Sequence, residues 1–576
     1  MPNNRINILL DSLVILSQPG RRHLHRTRRH RKPDENQPFP PLRSGFRSSY
    51  ANRSVVSSHS MQPHAVNDSA SVGSSHSHSL DWPYWAILLL LLGITTAVRL
   101  HCLACKPFWF DECFSVEVSR MDWHNFVRVL WWREANMSLY YALLRIWLQF
   151  GSTEFFIRSL SVVFAAISIP VIYWLARLMF DQKVAIVATA LLALNDFHLR
   201  YSQEARSYAL FFLLATLSSC FLILFLRQPR RRWRNAYALA SILAVYAHFY
   251  ALLLLAAHWL ALRRAGIPVD DQSRQRIASD LRRAWIAIGI AVFPLIVFVA
   301  KTGAGPIRWI HRPGITDVWH FWRYFTGGVP LLAAAALVII IVRMRRRLWA
   351  KDQNWEVWRL QFLGVWLLFP ILITLLMSLA RPVFYPRYMI FCLPALLILF
   401  AFALASLPSR WIAATAVCAV LVLSARAIPF VYAHDFEDER DGAGDATNFI
   451  LDHAETGDGI IFHIPQARVP YQFFSSLRVG RSVGSEGFGP EILYPRHGGQ
   501  LEYLDLKSKL SPDSLRSIIP GRPRIWVVLM YNGPKLPDPT AVLLEETLPQ
   551  SYSGVEKWEF PKVEILLYGG NSSTRK

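Results

Sequence analysis

Residues 82–113, WPYWAILLLLLGITTAVRLHCLACKPFWFDEC, place two adjacent carboxylates shortly after a long apolar run. The run, residues 82–98, carries no charged side chain and is followed by Arg99. A second polar stretch, YSQEAR at residues 201–206, lies beyond a later apolar run. Two such stretches on one side of a membrane indicate a reaction centre at its surface. A lone acidic stretch just outside a bilayer is also typical of a solvated loop.

The composition is that of a membrane protein. The chain has 576 residues, of which 53% are hydrophobic and only 18% charged, and its mean hydropathy is +0.25. Soluble domains carry about 25% charged residues. Several apolar runs approach or exceed the roughly 20 residues that cross a bilayer, and the clearest are residues 207–226, 235–262, 361–380 and 388–409. We therefore expect a polytopic α-helical membrane protein.

The basic residues are placed between the apolar runs. The net charge is +22, and dense Arg/Lys clusters occupy residues 227–234, 263–283 and 343–351. Such loops are assigned to the cytoplasm by the positive-inside rule. The charge thus indicates the lipid bilayer as partner, with no nucleic acid.

If the chain crosses the membrane back and forth with every dense basic cluster in the cytoplasm, it has roughly eleven transmembrane helices. Residues 235–262 have basic flanks on both sides, so we read them as two short helices hinged near His248-Phe249-Tyr250. Arg158, Arg177, Arg227 and Arg263 are expected to be helix-end anchors whose side chains extend to the membrane surface.

Three segments follow from these patterns. Residues 1–80 are expected to be a disordered basic tail, unless translation begins at Met61. Residues 81–430 form the membrane domain. Residues 431–576 have charged turns and β-rich runs at 459–464, 524–531 and 563–568, with a helix at 445–453. This pattern predicts a small α/β domain on the outer side, the periplasm in a Gram-negative host.

Three cysteines surround the acidic stretch. Cys102 and Cys105 have C-x-x-C spacing, but no second pair or suitably spaced histidine pair accompanies it, so the metal or redox signal is weak. A disulfide on the outer face is the alternative. Cys113 adds a third thiol, so one of the three stays unpaired.

The polar residues on the outer face combine a few acids with many cations. Guanidinium and ammonium groups stabilise phosphate oxygens, and a carboxylate can remove a proton from a hydroxyl. We take Asp111 and Glu112 as the candidate catalytic residues. The candidate substrate-binding residues are Arg133, Asn136, Glu204, Arg206, His248, Tyr250, Lys301, Arg387 and Tyr388.

Each candidate also has a plainer interpretation. Glu112 could orient backbone rather than do chemistry. Glu204 and Arg206 could simply pair with each other, and His248 could be a satisfied core histidine. Glu134, beside Arg133, is a further acid in the first outer loop.

These motifs together resemble the GT-C superfamily of integral-membrane glycosyltransferases. The resemblance rests on Asp111-Glu112 and on the stretches at residues 133–141, 150–160, 201–208, 248–250 and 387–388. The chain looks like the bacterial branch related to protein mannosyltransferases and to the aminoarabinose and galacturonosyl transferases of lipopolysaccharide (glycosyltransferase families 39 and 83). It departs from relatives with Pro-Pro-Leu-Tyr-Tyr, because residues 136–141 read NMSLYY.

The resemblance implies an inverting transfer from a polyprenyl-phosphate-linked sugar to a hydroxyl of a cell-envelope acceptor, which is a glycan, glycolipid or protein. Keeping the basic clusters in the cytoplasm places the site on the outer face of the cytoplasmic membrane, which is the periplasmic face in a Gram-negative host. Asp111 would be the general base, and Arg206, Arg387 and Lys301 would hold the lipid phosphate. No cofactor is certain, because Asp111 and Glu112 could instead bind a divalent cation.

Two other functions were weighed against the glycosyltransferase. An isoprenoid-lipid transporter or flippase should show internal repeats or broken helices at mid-membrane, and the sequence shows no clear repeat. A binding module built on residues 431–576 would need a phosphate loop or metal spacing there, and the sequence has neither. We expect this domain to help recognise the acceptor.

Overall fold

The structure is a computed structural model, and it describes residues 82–264, 271–303, 310–349, 355–433, 441–479, 489–495, 501–530 and 539–569. The basic tail predicted over residues 1–80 lies outside the described residues.

Helices make up the described part of the chain as far as residue 433. In order they are α1 (Trp82–Leu100), α2 (Phe110–Arg120), α3 (Trp123–Trp132), α4 (Ser138–Trp147), α5 (Glu154–Met179), α6 (Gln182–Ala193), α7 (Asp196–Ser202), α8 (Tyr208–Arg227), α9 (Arg231–Ala247), α10 (Ala251–Arg264), α11 (Asp271–Thr302), α12 (Ile315–Phe325), α13 (Pro330–Trp349), α14 (Trp355–Ala380), a 3₁₀ segment (Pro386–Cys392), α15 (Leu393–Ala405) and α16 (Arg410–Ala433).

Six of these helical segments are long and apolar enough to cross a membrane. They are Glu154–Met179, Tyr208–Arg227, Arg274–Thr302, Trp355–Ala380, Pro386–Ala405 and Arg410–Ala433. A seventh span arises if α12 and α13, which are bent by 83° at their junction, count as one. The chain is thus a multi-pass membrane protein, and the predicted fold class is confirmed. The number of eleven crossings stays a prediction, because α1, α6 and α10 are apolar but shorter.

The helices that carry the polar stretches are packed around buried cores. Helix α8 packs against α5 and α9, and it is buried along nearly its whole length. Between α9 and α10 the helix breaks at residues 248–250, where the sequence predicts a hinge. At the break the backbone binds the segment between α3 and α4, because Phe249 donates its N–H to Asn136 Oδ1 at 3.0 Å.

Two amphipathic helices, α3 and α4, lie between α2 and α5. Their exposed side chains include Trp123, Trp131, Trp132 and Ile146. Asp122 caps α3 by accepting the N–H of Asn125 at 3.1 Å. Tryptophans on the open face of a short amphipathic helix are typical of a segment that lies along a membrane surface.

After residue 440 the chain forms a five-stranded sheet flanked by helices. The elements are α17 (Ala443–His453), β1 (Gly459–His463), α18 (Arg468–Val479), β2 (Glu491–Tyr494), α19 (Pro512–Ile518), β3 (Arg524–Met530), α20 (Pro539–Thr547), β4 (Gly554–Phe560) and β5 (Val563–Gly569), with short 3₁₀ turns at Pro465–Ala467, Asp505–Lys507 and Leu548–Gln550. The strand order is β2-β1-β3-β5-β4.

The sheet is parallel on one side and antiparallel on the other. Strand β1 pairs in parallel with β2 and β3, whereas β5 pairs antiparallel with β3 and β4. Strands β1 and β3 are buried on both faces, which explains their nearly continuous apolar sequence. The three predicted strands correspond to β1, β3 and β5. The edge strands β2 and β4, with their exposed positions, were missed.

Candidate active site

Helix α2 presents the two adjacent carboxylates to different surroundings. Consecutive residues of an α-helix point about 100° apart. Glu112 is fully buried, whereas the Asp111 side chain keeps 24% of its surface exposed. The two acids therefore meet different partners.

Glu112 forms a two-pronged ion pair with Arg158 of α5. Arg158 Nε lies 2.8 Å from Oε1 and Nη2 lies 2.6 Å from Oε2. Arg158 also donates to the carbonyls of Leu103 and Lys106, and Glu112 Oε1 accepts the N–H of Ala205 at 2.7 Å. The pair joins the first loop, α5 and the second polar stretch. The expectation that Arg158 is a membrane-surface anchor is wrong, because its guanidinium is buried on this carboxylate.

Asp111 lies where two buried arginines from distant parts of the chain meet. Its Oδ2 is 3.2 Å from Arg387 Nη2 and 3.5 Å from Arg206 Nη2. Arg206 ends the polar stretch at residues 201–206, just before α8, and Arg387 lies in the 3₁₀ segment before α15. Three segments separated by up to 276 residues thus converge on one carboxylate.

Arg206 is held by hydrogen bonds to the first loop. Its Nη1 donates to the Asp111 carbonyl and to Ser115 Oγ, both at 3.1 Å, and to Tyr141 Oη at 3.5 Å. Its Nε is buried and has no hydrogen-bond partner among the described residues. A ligand could accept from this N–H.

Arg387 is enclosed by aromatic rings. The centre of its guanidinium is 4.8 Å from the ring centroid of Tyr385, 5.0 Å from that of Trp109 and 5.7 Å from that of Tyr208. Such rings stabilise a cation that has left bulk water. They also fix the orientation of the guanidinium toward Asp111.

His248, Tyr250 and Tyr388 form an aromatic group beside the arginines. The ring centroid of Tyr388 is 4.9 Å from His248 and 5.1 Å from Tyr250. His248 is buried, and its Nδ1 accepts the N–H of Tyr250 at 3.2 Å. The Tyr250 hydroxyl donates to the Val383 carbonyl. The structure therefore packs His248 and Tyr250 against Tyr388, whose ring contacts Arg387, and the Tyr250 hydroxyl is engaged by backbone.

The remaining sequence-predicted residues lie around this group rather than in it. Asn136 binds backbone at the hinge, as described above. Arg133 is half-buried at the end of α3. Lys301 is exposed, and its ammonium lies 5.3 Å from the ring centroid of Trp132. Glu204 is buried, with its Oε1 3.9 Å from Arg200 Nε.

Glu134 is a further carboxylate within electrostatic range of the arginines. It is half-buried in the loop after α3. Partial desolvation raises its pKa to about 7; the positive charge of Arg206 opposes this rise and the negative charge of Asp111 adds to it. A carboxyl with that pKa changes charge in the physiological range and so alters the charge felt by an anion bound at Arg206.

A polar cleft lies on the other side of α2. Trp109, Glu112, Arg158, Gln203 and Asp441 are among its lining residues. Cys102 also lines it and is joined to Cys105 by a disulfide, while Cys113 is a buried free thiol. Asp111 faces away from this cleft toward Arg206 and Arg387.

The acidic pair does not fit a divalent cation. Asp111 Oδ2 is shared by two guanidinium groups, and both oxygens of Glu112 bind Arg158. Across the described ranges, no group of three or more His, Cys, Asp or Glu side chains could hold a metal ion. The chemistry of the site is therefore derived from arginine and carboxylate alone.

Sequence reasoning missed the side chains that orient the arginines. Ser115 and Tyr141 bind Arg206, and Trp109, Tyr208 and Tyr385 surround Arg387. Trp109, Tyr141 and Tyr208 lie within or next to the quoted motifs. Their aromatic side chains, close in sequence to an acid or an arginine, could have indicated that they pack around the arginines.

Comparison with known proteins identifies the fold. No family model and no curated protein sequence matches the chain. Among solved structures, ArnT from Cupriavidus metallidurans in the apo state aligns with a TM-score of 0.53 at 14% identity, covering 84% of this chain and 98% of ArnT. The same protein bound to undecaprenyl phosphate aligns with a TM-score of 0.51 at 13% identity, covering 84% and 97%.

The alignments cover 84% of the 576 residues, more than the share that ends at residue 433 with α16, so they include some of the sheet-containing part. The chain therefore shares the fold of ArnT, which agrees with the fold that the resemblance of its motifs implies.

Proposed function

We propose that this protein is an inverting glycosyltransferase that moves a sugar from a polyprenyl-phosphate-linked donor to a hydroxyl group. The convergence of Arg206 and Arg387 on the Asp111 carboxylate carries the proposal. Two buried guanidinium groups make a strong site for a phosphate. The shared fold supports the donor class, since ArnT has been crystallised with undecaprenyl phosphate.

In the proposed reaction the lipid phosphate binds to Arg206 and Arg387. Asp111 accepts the proton of the acceptor hydroxyl while that oxygen attacks the anomeric carbon. The bond between this carbon and the phosphate oxygen breaks, and its electron pair stays on the lipid phosphate. The phosphate gains a negative charge in this step, so fixed cations stabilise the transition state more than the bound donor.

This division of roles uses the two sides of the Asp111 carboxylate. Oδ2 contacts both guanidinium groups, at 3.5 Å from Arg206 Nη2 and 3.2 Å from Arg387 Nη2. Oδ1 is thus the oxygen proposed to receive the proton. His248 and Tyr388 would pack against the donor near its phosphate, because both lie beside Arg387.

Glu112 has a positioning role in this account. Its carboxylate is buried on Arg158 and on the backbone of Ala205, which directly precedes Arg206. It therefore holds α2 and the Arg206 segment together. Arg133 and Lys301 stay proposed substrate-binding residues, and Lys301 is the one proposed for the lipid phosphate.

The proposed location is the outer, periplasmic face of the bacterial cytoplasmic membrane. This follows from keeping residues 227–234, 263–283 and 343–351 in the cytoplasm. The acceptor is proposed to be a glycan, glycolipid or protein of the cell envelope.

The test is sugar release or transfer from a panel of undecaprenyl-phosphate-linked sugars by the purified full chain in detergent. The proposal expects turnover of at least one donor by the wild type and its loss in Arg387→Gln, with a raised donor KM in Arg387→Lys. Turnover of no donor, together with movement of undecaprenyl phosphate across liposome membranes, would support the lipid transporter instead.

A further inference from the structure

The helix that carries Asp111 lacks a cap of its own. The first N–H groups of an α-helix have no partner within the helix, and they are usually met by a polar side chain at the N-cap position. In α2 that position is Trp109, whose side chain makes no capping hydrogen bond. Its carbonyl accepts from Glu112 and Cys113, which leaves the N–H of Phe110 to a partner outside the helix.

Asp441 supplies the missing cap from 331 residues away. The Phe110 N–H donates to Asp441 Oδ2 at 2.5 Å. The other oxygen, Oδ1, accepts the N–H of Ala443 at 3.4 Å, at the start of α17. One buried carboxylate therefore lies at the N-terminal ends of two helices, where a negative charge is favoured by both helix dipoles.

The protonation of Asp441 is compatible with this role at neutral pH. Burial raises its pKa to about 6, while the hydrogen bonds from Phe110 and Ala443 oppose that rise. At pH 7 the Asp441 carboxyl is therefore mostly ionised, and both of its oxygens can accept hydrogen bonds. Lys562 is close enough to favour the charged form further.

Helix α18 contacts both the segment just before α2 and the far end of α2. The Phe108 ring, just before the helix, stacks on Phe473 at 4.9 Å. At the far end, Arg120 Nη1 lies 3.4 Å from Ser476 Oγ. These contacts attach the helix to the sheet-containing part. The Phe110 side chain, in the first turn, also packs against the core of that part. Asp441 adds the hydrogen bond to the backbone of the first turn, directly beside Asp111.

We propose that Asp441 is a positioning residue that fixes the first turn of α2 and thereby holds the Asp111 carboxylate at Arg206 and Arg387. The sheet-containing part of the chain would then serve the reaction by completing the helix that carries the base. The kinetic part of this inference rests on the proposed glycosyltransferase function. The structural part does not.

The structural part is tested by amide hydrogen exchange on the full chain in detergent, followed in peptides that cover residues 108–116. Asp441→Ala removes the acceptor, and exchange in the first turn should quicken about fivefold, the effect of a typical lost cap. Asp441→Asn keeps an acceptor oxygen and should stay close to the wild type. Asp445→Ala is the matched control, because Asp445 is an exposed acid in the first turn of α17.

Asp441→Val serves as a second loss variant, since it keeps the side-chain volume, and whichever loss variant folds gives the answer. Unchanged exchange in a folded loss variant, or equal acceleration in Asp445→Ala, would overturn the cap.

The kinetic part is tested by sugar release from the undecaprenyl-phosphate-linked donor that the wild type turns over. Misplacement of the base should lower kcat roughly tenfold or more in Asp441→Ala with the donor KM within about twofold, and Asp441→Asn should restore kcat. Faster exchange with an unchanged kcat would overturn the positioning role. Faster exchange in a protein whose wild type turns over no donor would overturn the proposed function and leave the cap in place.

Discussion

Replacing Glu112 with glutamine removes the negative charge from the buried ion pair with Arg158. The guanidinium would stay buried, with its Nε and Nη2 facing a neutral amide instead of carboxylate oxygens at 2.8 and 2.6 Å. Removing one partner of a buried, hydrogen-bonded ion pair typically costs about 3–5 kcal/mol. The carbonyls of Leu103 and Lys106 still accept from Arg158, so we expect the lower end of that range.

Thermal unfolding in a single detergent measures the loss. For a chain of this size the unfolding entropy is roughly 1 kcal/mol/K, so about 3 kcal/mol lowers the apparent Tm by about 3 °C. Asp280→Asn is the matched control, because Asp280 pairs with Arg234 at 2.8 Å but stays partly exposed. A pair of that kind contributes about 1 kcal/mol or less, so the control should move the Tm by about 1 °C at most.

The double variant Glu112→Gln with Arg158→Gln removes both charges and should lose less stability than the sum of the single variants. Losses that simply add would show that Glu112 and Arg158 do not stabilise the protein as a pair. The reasoning is also refuted if Glu112→Gln leaves the Tm unchanged but abolishes sugar release, because Glu112 would then act on substrate instead of joining structural segments.

Two further predictions concern the phosphate site. Arg387→Lys keeps the charge but loses the planar pair of donors, so the donor KM should rise roughly tenfold with the Tm almost unchanged, as sugar-release kinetics and thermal unfolding would show; an unchanged KM would remove Arg387 from the site. Glu134 has a pKa of about 7, so it is neutral below that pH and negative above it. The negative charge of Glu134, which lies near Arg206, Arg133 and Asp111, repels an anionic donor. The donor KM of the wild type should therefore rise from pH 6 to pH 8. In Glu134→Gln the donor KM should stay at the low value from pH 6 to pH 8. If the donor KM of that variant still rose with pH as in the wild type, Glu134 would not be the group responsible.

The sequence predicts the parts of this protein that depend on local pattern. Long apolar runs and basic clusters indicate the membrane fold, and the basic flanks of residues 235–262 indicate the break at His248. Asp111, Arg206 and Arg387 could be proposed as partners because each follows or precedes an apolar run. Their approach to within 3.5 Å depends on how α2, α8 and the 3₁₀ segment pack, which no local pattern records.

Long-range pairs account for what the sequence did not predict. Arg158 has the position of a membrane-surface anchor, and only the fold reveals that Glu112 is its partner. Asp441 lies at the start of a different part of the chain, so nothing near residue 110 indicates that it caps α2. The edge strands β2 and β4 lack the apolar sequence of the central strands because one side of each is exposed.

The most direct test of the central claim is to separate donor binding from sugar transfer in Asp111→Asn. Asparagine keeps the size of the side chain and an acceptor oxygen for Arg206 and Arg387, but it cannot take up a proton from a hydroxyl. The account predicts that the purified variant binds the undecaprenyl-phosphate-linked donor within about threefold of the wild type and transfers sugar at least about a hundredfold more slowly. Transfer at the wild-type rate would contradict the account, because Asp111 would then have no part in proton removal.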